Sequence, residues 1–176
     1  TIFHFKETDL SLSSMSHVKF SDATYAIRIG GELNYNTLNV DTVGINNGDV
    51  RADKGNANGV GKTRGKVVLD NATLDTVTIR TYYPWSEEVD VKNGTAVDSV
   101  MYVDDYGGKI TTENMLISNT QYYIGCCNAY LDIKNSTLLA SSLNGRNGTT
   151  LIQNSRLIGT PIKLNENYGI LTIEDS

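Results

Sequence analysis

The chain has 176 residues, a net charge of −5, 39% hydrophobic and 20% charged residues, a balance that excludes both a disordered segment and a membrane protein. No apolar run approaches the roughly 20 residues needed to cross a bilayer, and an acidic chain is a poor partner for nucleic acid, whose phosphates need a basic surface. Sixteen Gly against two Pro, with many Asn and Thr, point to strands and turns rather than helices.

From the N-terminus, Val18-Lys19-Phe20-Ser21-Asp22-Ala23-Thr24-Tyr25 gives the first instance of a template: apolar–x–apolar–x–Asn or Asp–small–x–apolar. Val40-Asp41-Thr42 is a poorer copy. Residues 46–65, dense in Gly and Asn, then break the register, because Thr42 and Asn71 are 29 residues apart, about eight more than a repeat needs. This predicts an exposed inserted loop over 46–65 within a single domain of residues 1–176. Inside it, Gly55 to Gly61-Lys62-Thr63 imitates a phosphate-binding loop, but Gly55 stands one residue too early. A strand-like Val67-Val68-Leu69 also follows where that motif requires a helix. Asp49, Asp53, Asn56 and Asn58 likewise miss the spacing of a calcium loop.

From Val67 onward the template recurs with Asn71, Asn93, Asn114, Asn135, Asn154 and Asp175 as anchors, spaced by 22, 21, 21, 19 and 21 residues. A period near 21 with short alternating strands and no helical period predicts a solenoid of parallel strands. The L-x-x-L-x-L pattern of leucine-rich repeats and the period of hexapeptide helices are both missing, which leaves an all-β, right-handed parallel β-helix. Alternation puts Leu69, Val91, Thr112, Ile133, Ile152 and Ile173, two residues before each anchor, on the core face. Eight residues after come Ile79, Met101, Tyr122, Leu143 and Ile162, and ten after come Thr81, Val103, Ile124, Gly145 and Leu164, on the same face. Arg80, Tyr102, Tyr123, Asn144 and Lys163 then form an outward column. The recurring Asn is expected to point inward at a tight turn, where its amide would satisfy buried backbone in neighbouring coils.

An inward Asn ladder of Asn71, Asn93, Asn114, Asn135 and Asn154, with Asp22 and Asp175 as acidic variants, resembles the pectate-lyase-like β-helix superfamily. The resemblance spans residues 18–176 outside the insertion. It implies the fold and leaves function open, because lyases, hydrolases, phage tailspikes and bacterial adhesins all share that fold. The catalytic motifs of those relatives do not come with it. Val103-Asp104-Asp105 has paired acids without the Gly of Gly-Asp-Asp, and Asn-Thr-Asp, Gly-His-Gly and Arg-x-Pro-x-x-Arg are all missing. No catalytic residue is therefore assigned. Asp104, Asp105 and Glu87 remain the candidates for a carboxylate pair at glycosidase separation.

The long connections after the second strand carry the most distinctive side chains. Tyr82-Tyr83-Pro84-Trp85-Ser86-Glu87-Glu88 leaves one coil, Asp104-Asp105-Tyr106 the next, and Gly125-Cys126-Cys127-Asn128-Ala129-Tyr130 the one after. Equal offsets in stacked coils put these beside the outward column. Arg80, Tyr82, Tyr83, Trp85, Tyr102, Asp104, Asp105, Tyr106 and Tyr123 are thus the expected carbohydrate-binding residues, with rings for sugar C–H faces and charges for hydroxyls. No metal or cofactor is implied, since His4 and His17 are isolated and no Cys or His stands at ligand spacing. The adjacent Cys126 and Cys127 cannot staple distant segments. Of four glycosylation sequons, those at Asn71, Asn93 and Asn135 are expected to be hidden in the ladder, leaving only Asn147 exposed. The chain stops at Thr172-Ile173-Glu174-Asp175-Ser176 inside a strand-like pattern, and reads as a piece of a longer polypeptide.

Together these features predict a structural and binding segment of an extracellular adhesin or phage tailspike or fibre that contacts a polysaccharide or surface glycan. It would lie at a cell surface or on a virion, with homotrimeric assembly one expectation and no membrane or nucleic-acid partner. A polysaccharide lyase or glycoside hydrolase, and a purely structural shaft, are the alternative readings.

Overall fold

Alternating apolar residues make strands, and in this chain those strands pair in parallel with their counterparts one repeat away. The computed structural model describes residues 3–6, 13–30, 36–52, 65–81, 88–103, 107–164 and 169–176. Strands β1 (Phe3–Lys6), β2 (Ser13–Gly30) and β3 (Asn36–Ala52) open the solenoid. The next coils are β4 (Gly65–Asp70) with β5 (Thr73–Thr81), β6 (Glu88–Val97) with β7 (Val100–Val103), and β8 (Lys109–Ser118) with β9 (Gln121–Ile124). Then follow β10 (Tyr130–Lys134), β11 (Thr137–Leu139) and β12 (Ser142–Gly145). The last are β13 (Thr149–Gln153), β14 (Arg156–Ile158), β15 (Ile162–Leu164) and β16 (Ile170–Glu174). No helix occurs among the described residues.

The registers make this a β-solenoid with coils about 21 residues apart. Leu69, Val91, Thr112, Ile133, Ile152 and Ile173 stack in one column, as do Ile79, Met101, Tyr122, Leu143 and Ile162. Like side chains therefore pack on like along the lumen. Leu69, Val91, Ile133, Ile79, Met101, Tyr122 and Leu143 are fully buried, each burial contributing on the order of 1.5–3 kcal/mol.

Each coil turns at two corners, each made by a single residue in the left-handed region. The first corner is His17, Thr42, Asn71, Asn93, Asn114, Asn135, Asn154 and Asp175, with φ between 48° and 56°. The second, five residues later, is formed by Asp22, Thr76, Asp98, Asn119, Ala140 and Gly159, with φ between 46° and 57°. Asn and Asp tolerate this conformation better than other residues with a Cβ, because their short polar side chains hydrogen-bond locally.

Three expectations are corrected here. The Asn column is exposed, not inward: Asn71, Asn93, Asn114, Asn135 and Asn154 all face solvent. Asn114 Nδ2 donates to Asn93 Oδ1 at 3.0 Å, Asn93 Nδ2 to Asp70 Oδ1 at 2.7 Å, and Asn71 Nδ2 to Asp41 Oδ1 at 2.7 Å, so several of these amides bond between coils along the outside, to Asp as well as to Asn. The sequon asparagines at 71, 93 and 135 are accordingly exposed, whereas Asn147 is half-buried with an unpartnered buried Oδ1. Asp22 is no variant of the anchor either, since His17 pairs into the anchor column and Asp22 into the second corner. Finally, residues 46–52 belong to β3 rather than to an insertion. Asn46 pairs with Asp75 and Gly48 with Val77, so this Asn- and Gly-rich stretch builds the second corner. The rest of the expected loop, with the phosphate-loop look-alike and most of the calcium look-alike, lies outside the described residues.

What points inward at the corners is the residue after each left-handed one. Met115 N donates to Ser136 Oγ, Ser136 N to Ser155 Oγ, and Ser155 N to Ser176 Oγ, each at 3.1 Å. Each hydroxyl in turn donates across the corner to the carbonyl two residues before it, at 2.7–2.9 Å. The second corner repeats the device, with Val77 N to Ser99 Oγ at 3.1 Å, Ser99 N to Thr120 Oγ1 at 3.4 Å and Thr120 N to Ser141 Oγ at 3.2 Å. Backbone groups opened by the turn are thus satisfied inside the fold, as buried polar groups require.

Candidate functional site

The third face of the solenoid, formed by the end of β5 with β7, β9, β12 and β15, carries the expected outward column. Arg80 pairs with Tyr102, Tyr102 with Tyr123, Tyr123 with Asn144, and Asn144 with Lys163. Inward neighbours on each strand (Ile79, Met101, Tyr122, Leu143) are locked in the lumen, so the alternating residues must project outward. The Arg80 guanidinium lies 4.6 Å from the Tyr102 ring centroid, and the Tyr102 and Tyr123 rings are 6.0 Å apart at an interplanar angle of 35°. Tyr123 OH donates to Gln121 Oε1 at 2.7 Å, which fixes its ring.

Beside these rings lies an open groove of about 340 Å³, lined by Tyr102, Tyr123, Ile124, Gly125, Asn144, Gly145 and Arg146. At Gly145 a Cβ would approach Leu164 Cδ2 to 2.8 Å, a side-chain end that can shift to make room. The column meets the groove through Tyr102, Tyr123 and Asn144, one residue from each successive coil. Of the expected binding residues, Arg80, Tyr102 and Tyr123 are brought together. Tyr82, Tyr83, Trp85, Asp104, Asp105 and Tyr106, with the candidate acid Glu87, lie outside the described residues. Arg146, which the sequence reading passed over, joins the groove because it follows the buried Gly145 at the end of β12.

The opposite kind of surface covers the first face, built from β4, β10, β13, β16 and the first halves of β6 and β8. Its outward columns are Lys66, Glu88, Lys109, Tyr130; Val68, Asp90, Thr111, Asp132; and Asp70, Lys92, Glu113, Lys134. Opposite charges alternate up the first and third of these columns, while the middle one carries only the acids Asp90 and Asp132. Lys66 Nζ sits 2.6 Å from Asp90 and 3.1 Å from Glu88, Lys92 is 3.3 Å from Asp70, and Lys134 is 2.9 Å from Asp132. Partial burial pulls the Lys66 ammonium down, but Asp90 and Glu88 together hold it above the ordinary lysine range. The bond to Asp132 raises Lys134 in the same way. Equal offsets from the anchors could have shown these columns in the sequence.

Inside, Tyr122 OH and Thr112 Oγ1 are both buried without a hydrogen-bond partner among the described residues. Burial drives the Tyr122 phenol far above its usual range, and the nearby Thr112 hydroxyl opposes only part of that shift. This is a lumen group, not a reactive one. Cys126 is half-buried and Cys127 exposed, and neither is disulfide-bonded. Among the described residues, no three His, Cys, Asp or Glu side chains converge to hold a metal.

No protein-family model matches the chain, and neither the curated proteins nor the solved structures yield a match.

Proposed function

We propose that this chain is a structural and binding segment of an extracellular adhesin or of a phage tailspike or fibre, and that its third face contacts a cell-surface carbohydrate. The observation that carries this reading is the ladder of Arg80, Tyr102 and Tyr123 bordering an open groove. Its residues recur once per coil on strands about 4.8 Å apart, with the two rings 6.0 Å apart, so it offers a shallow, elongated track rather than an enclosed pocket. Rings of this kind stack on sugar C–H faces, while Arg146 and Asn144 supply donors to hydroxyls. A homotrimer fits the role of a shaft that displays several such tracks, and the same reading places the protein at a cell surface or on a virion.

The test is a glycan array probed with the wild-type chain and with a Tyr102→Ala, Tyr123→Ala double variant. Retention of a bacterial surface polysaccharide, weakened at least tenfold in the variant, is the expected result. Wild-type binding that survives loss of both rings, or no retention at all, would remove the carbohydrate track and leave the structural shaft.

A further inference from the structure

On the first face, Asp132 is out of place. An outward residue of β10, it is nevertheless only 3% exposed, and its Oδ1 is buried with no hydrogen-bond partner among the described residues, while Oδ2 pairs with Lys134. A carboxylate oxygen held out of water without a donor is costly unless something completes it. Asp132 borders a cavity of about 230 Å³ lined also by Lys66, Asp90, Lys92, Lys109, Thr111, Glu113 and Lys134, with Val91 at its base. Three of these lysines are tied to carboxylates. Lys109 has no carboxylate partner among the described residues; its ammonium lies 5.4 Å from the Tyr130 ring centroid. Two residues lining the cavity, on adjacent coils and two residues apart along the strand, thus carry an acceptor lacking a donor and an ammonium lacking an acceptor among the described residues. At strand dimensions that diagonal is about 7–8 Å between Cα atoms.

The charges exclude the two simplest occupants. Lys66, Lys92, Lys109 and Lys134 face Asp70, Glu88, Asp90, Glu113 and Asp132 across the same columns, so the field nearly cancels and favours neither a free anion nor a metal cation. What remains is a neutral ligand that both donates and accepts hydrogen bonds within one small unit. The geometry points to a second binding site, for a neutral polyhydroxylated ring or chain with vicinal hydroxyls. One hydroxyl would donate to Asp132 Oδ1, its neighbour would accept from Lys109, and the Tyr130 ring would flank the apolar edge. The groups that must give way are lysine arms, which move without disturbing the sheet. This site is independent of the aromatic track on the third face.

Backbone amide spectra titrated with D-glucose, D-galactose and D-mannose, each to 50 mM, test it directly. At least one of the three should shift Lys109, Thr111 and Asp132 saturably, with affinity falling at least tenfold in Asp132→Asn and in Lys109→Met. Tyr102→Ala should leave those shifts unchanged, which separates this site from the third face. Lys109→Met keeps the test decisive if Asp132→Asn perturbs the sheet, since Lys109 has no ion pair among the described residues to lose. No saturable shift with any of the three sugars overturns the inference. So does a response only to inorganic phosphate or calcium, or one equally strong in both variants.

Discussion

Asn135 and Ser136 are neighbours at the same corner, yet they do opposite jobs. The asparagine lies outside, its value conformational: φ is +48°, and the exposed amide can be lost with little desolvation. The serine lies inside, 3% exposed, its Oγ accepting from Met115 N of the preceding coil and donating to Lys134 O. Its value is electrostatic, because without it a buried amide has no partner. The residue most visible in the repeat is thus the one that shapes the turn. The less visible one beside it keeps the interior satisfied. Substitutions that act on one column and spare the other can separate these roles.

The largest effect is expected where the inner column has no room at all. Gly94 holds the place that Ser136 occupies two coils on, and a Cβ there would come within 1.8 Å of Ala72 O and 2.7 Å of Ala72 C. Both are backbone atoms, and Ala72 O accepts from Thr95 N at 2.8 Å, so no side-chain movement relieves the clash. Gly94→Ala should cost about 3 kcal/mol or more in urea unfolding, at the upper end of overpacking penalties. Asn93→Ala next to it should cost far less.

Next is Ser136→Ala, which removes one acceptor and one donor from the lumen. Met115 N and Lys134 O lose their partners, at a cost of about 1–3 kcal/mol in the same assay. Because each inner hydroxyl serves the coil before it, amide exchange should quicken at Met115 more than at Ser155. Uniform exchange across the two would show that the ladder does not act coil by coil.

These two columns also mark what could be read without coordinates. Period, parallel stacking and the core columns at offsets −2, +8 and +10 were all legible, because lumen packing demands apolar residues at fixed intervals. The direction of the asparagine was not. Strict alternation from Leu131 and Ile133 puts residue 135 inward, but a left-handed residue turns the chain and resets the parity, so that Ser136 and Leu138 point in instead. The second corner resets it again, which is why offsets +8 and +10 still came out right. Asp22 was misplaced for a related reason: Phe20-x-Asp22-Ala23 fits either corner, since an inward residue precedes both by two. The pairs Asn135-Ser136 and Ala140-Ser141, or Asn154-Ser155 and Gly159-Thr160, five residues apart, were the overlooked signal. Of the candidate site, the Arg80–Tyr102–Tyr123 column followed from offsets alone. Burial of Asp132 did not, because an outward position becomes enclosed only through the bulk of its neighbours.

A smaller, favourable change tests the outer role alone. Ala140 holds the second corner at φ +46°, where Gly159 serves one coil later at +57°. Left-handed backbone costs a residue with a Cβ about 1 kcal/mol or more, partly offset by the greater freedom glycine gives the unfolded chain. Ala140→Gly should therefore stabilise by about 0.5–1 kcal/mol, while Ser141→Ala beside it destabilises. Destabilisation by Ala140→Gly would mean that its methyl group packs in a way the exposed position does not suggest.

The smallest expected effect uses pH, because only the outer ladder contains a titrating member. Asp70 Oδ1 accepts from Asn93 Nδ2 at 2.7 Å and from Asn71 N at 2.9 Å, while Lys92 stands 3.3 Å from Oδ2. The Asn93 bond is the main reason the carboxyl titrates below the usual aspartate range, helped by Lys92 and the Asn71 amide and opposed by some desolvation. With the folded value below the unfolded one, the stabilisation is fully present above the ordinary aspartate pKa of about 4. It is lost as pH falls through the lower, folded value. The group is largely solvated, so screening keeps the contribution under about 1 kcal/mol. Wild type should exceed Asp70→Asn in melting temperature by a small margin at pH 6, and the margin should close between pH 4 and pH 2.5. Ser136→Ala, which removes no titrating group, should lag wild type by the same amount across that range. A margin for Asp70→Asn that stays constant with pH would show that its carboxylate contributes shape rather than charge to the outer ladder.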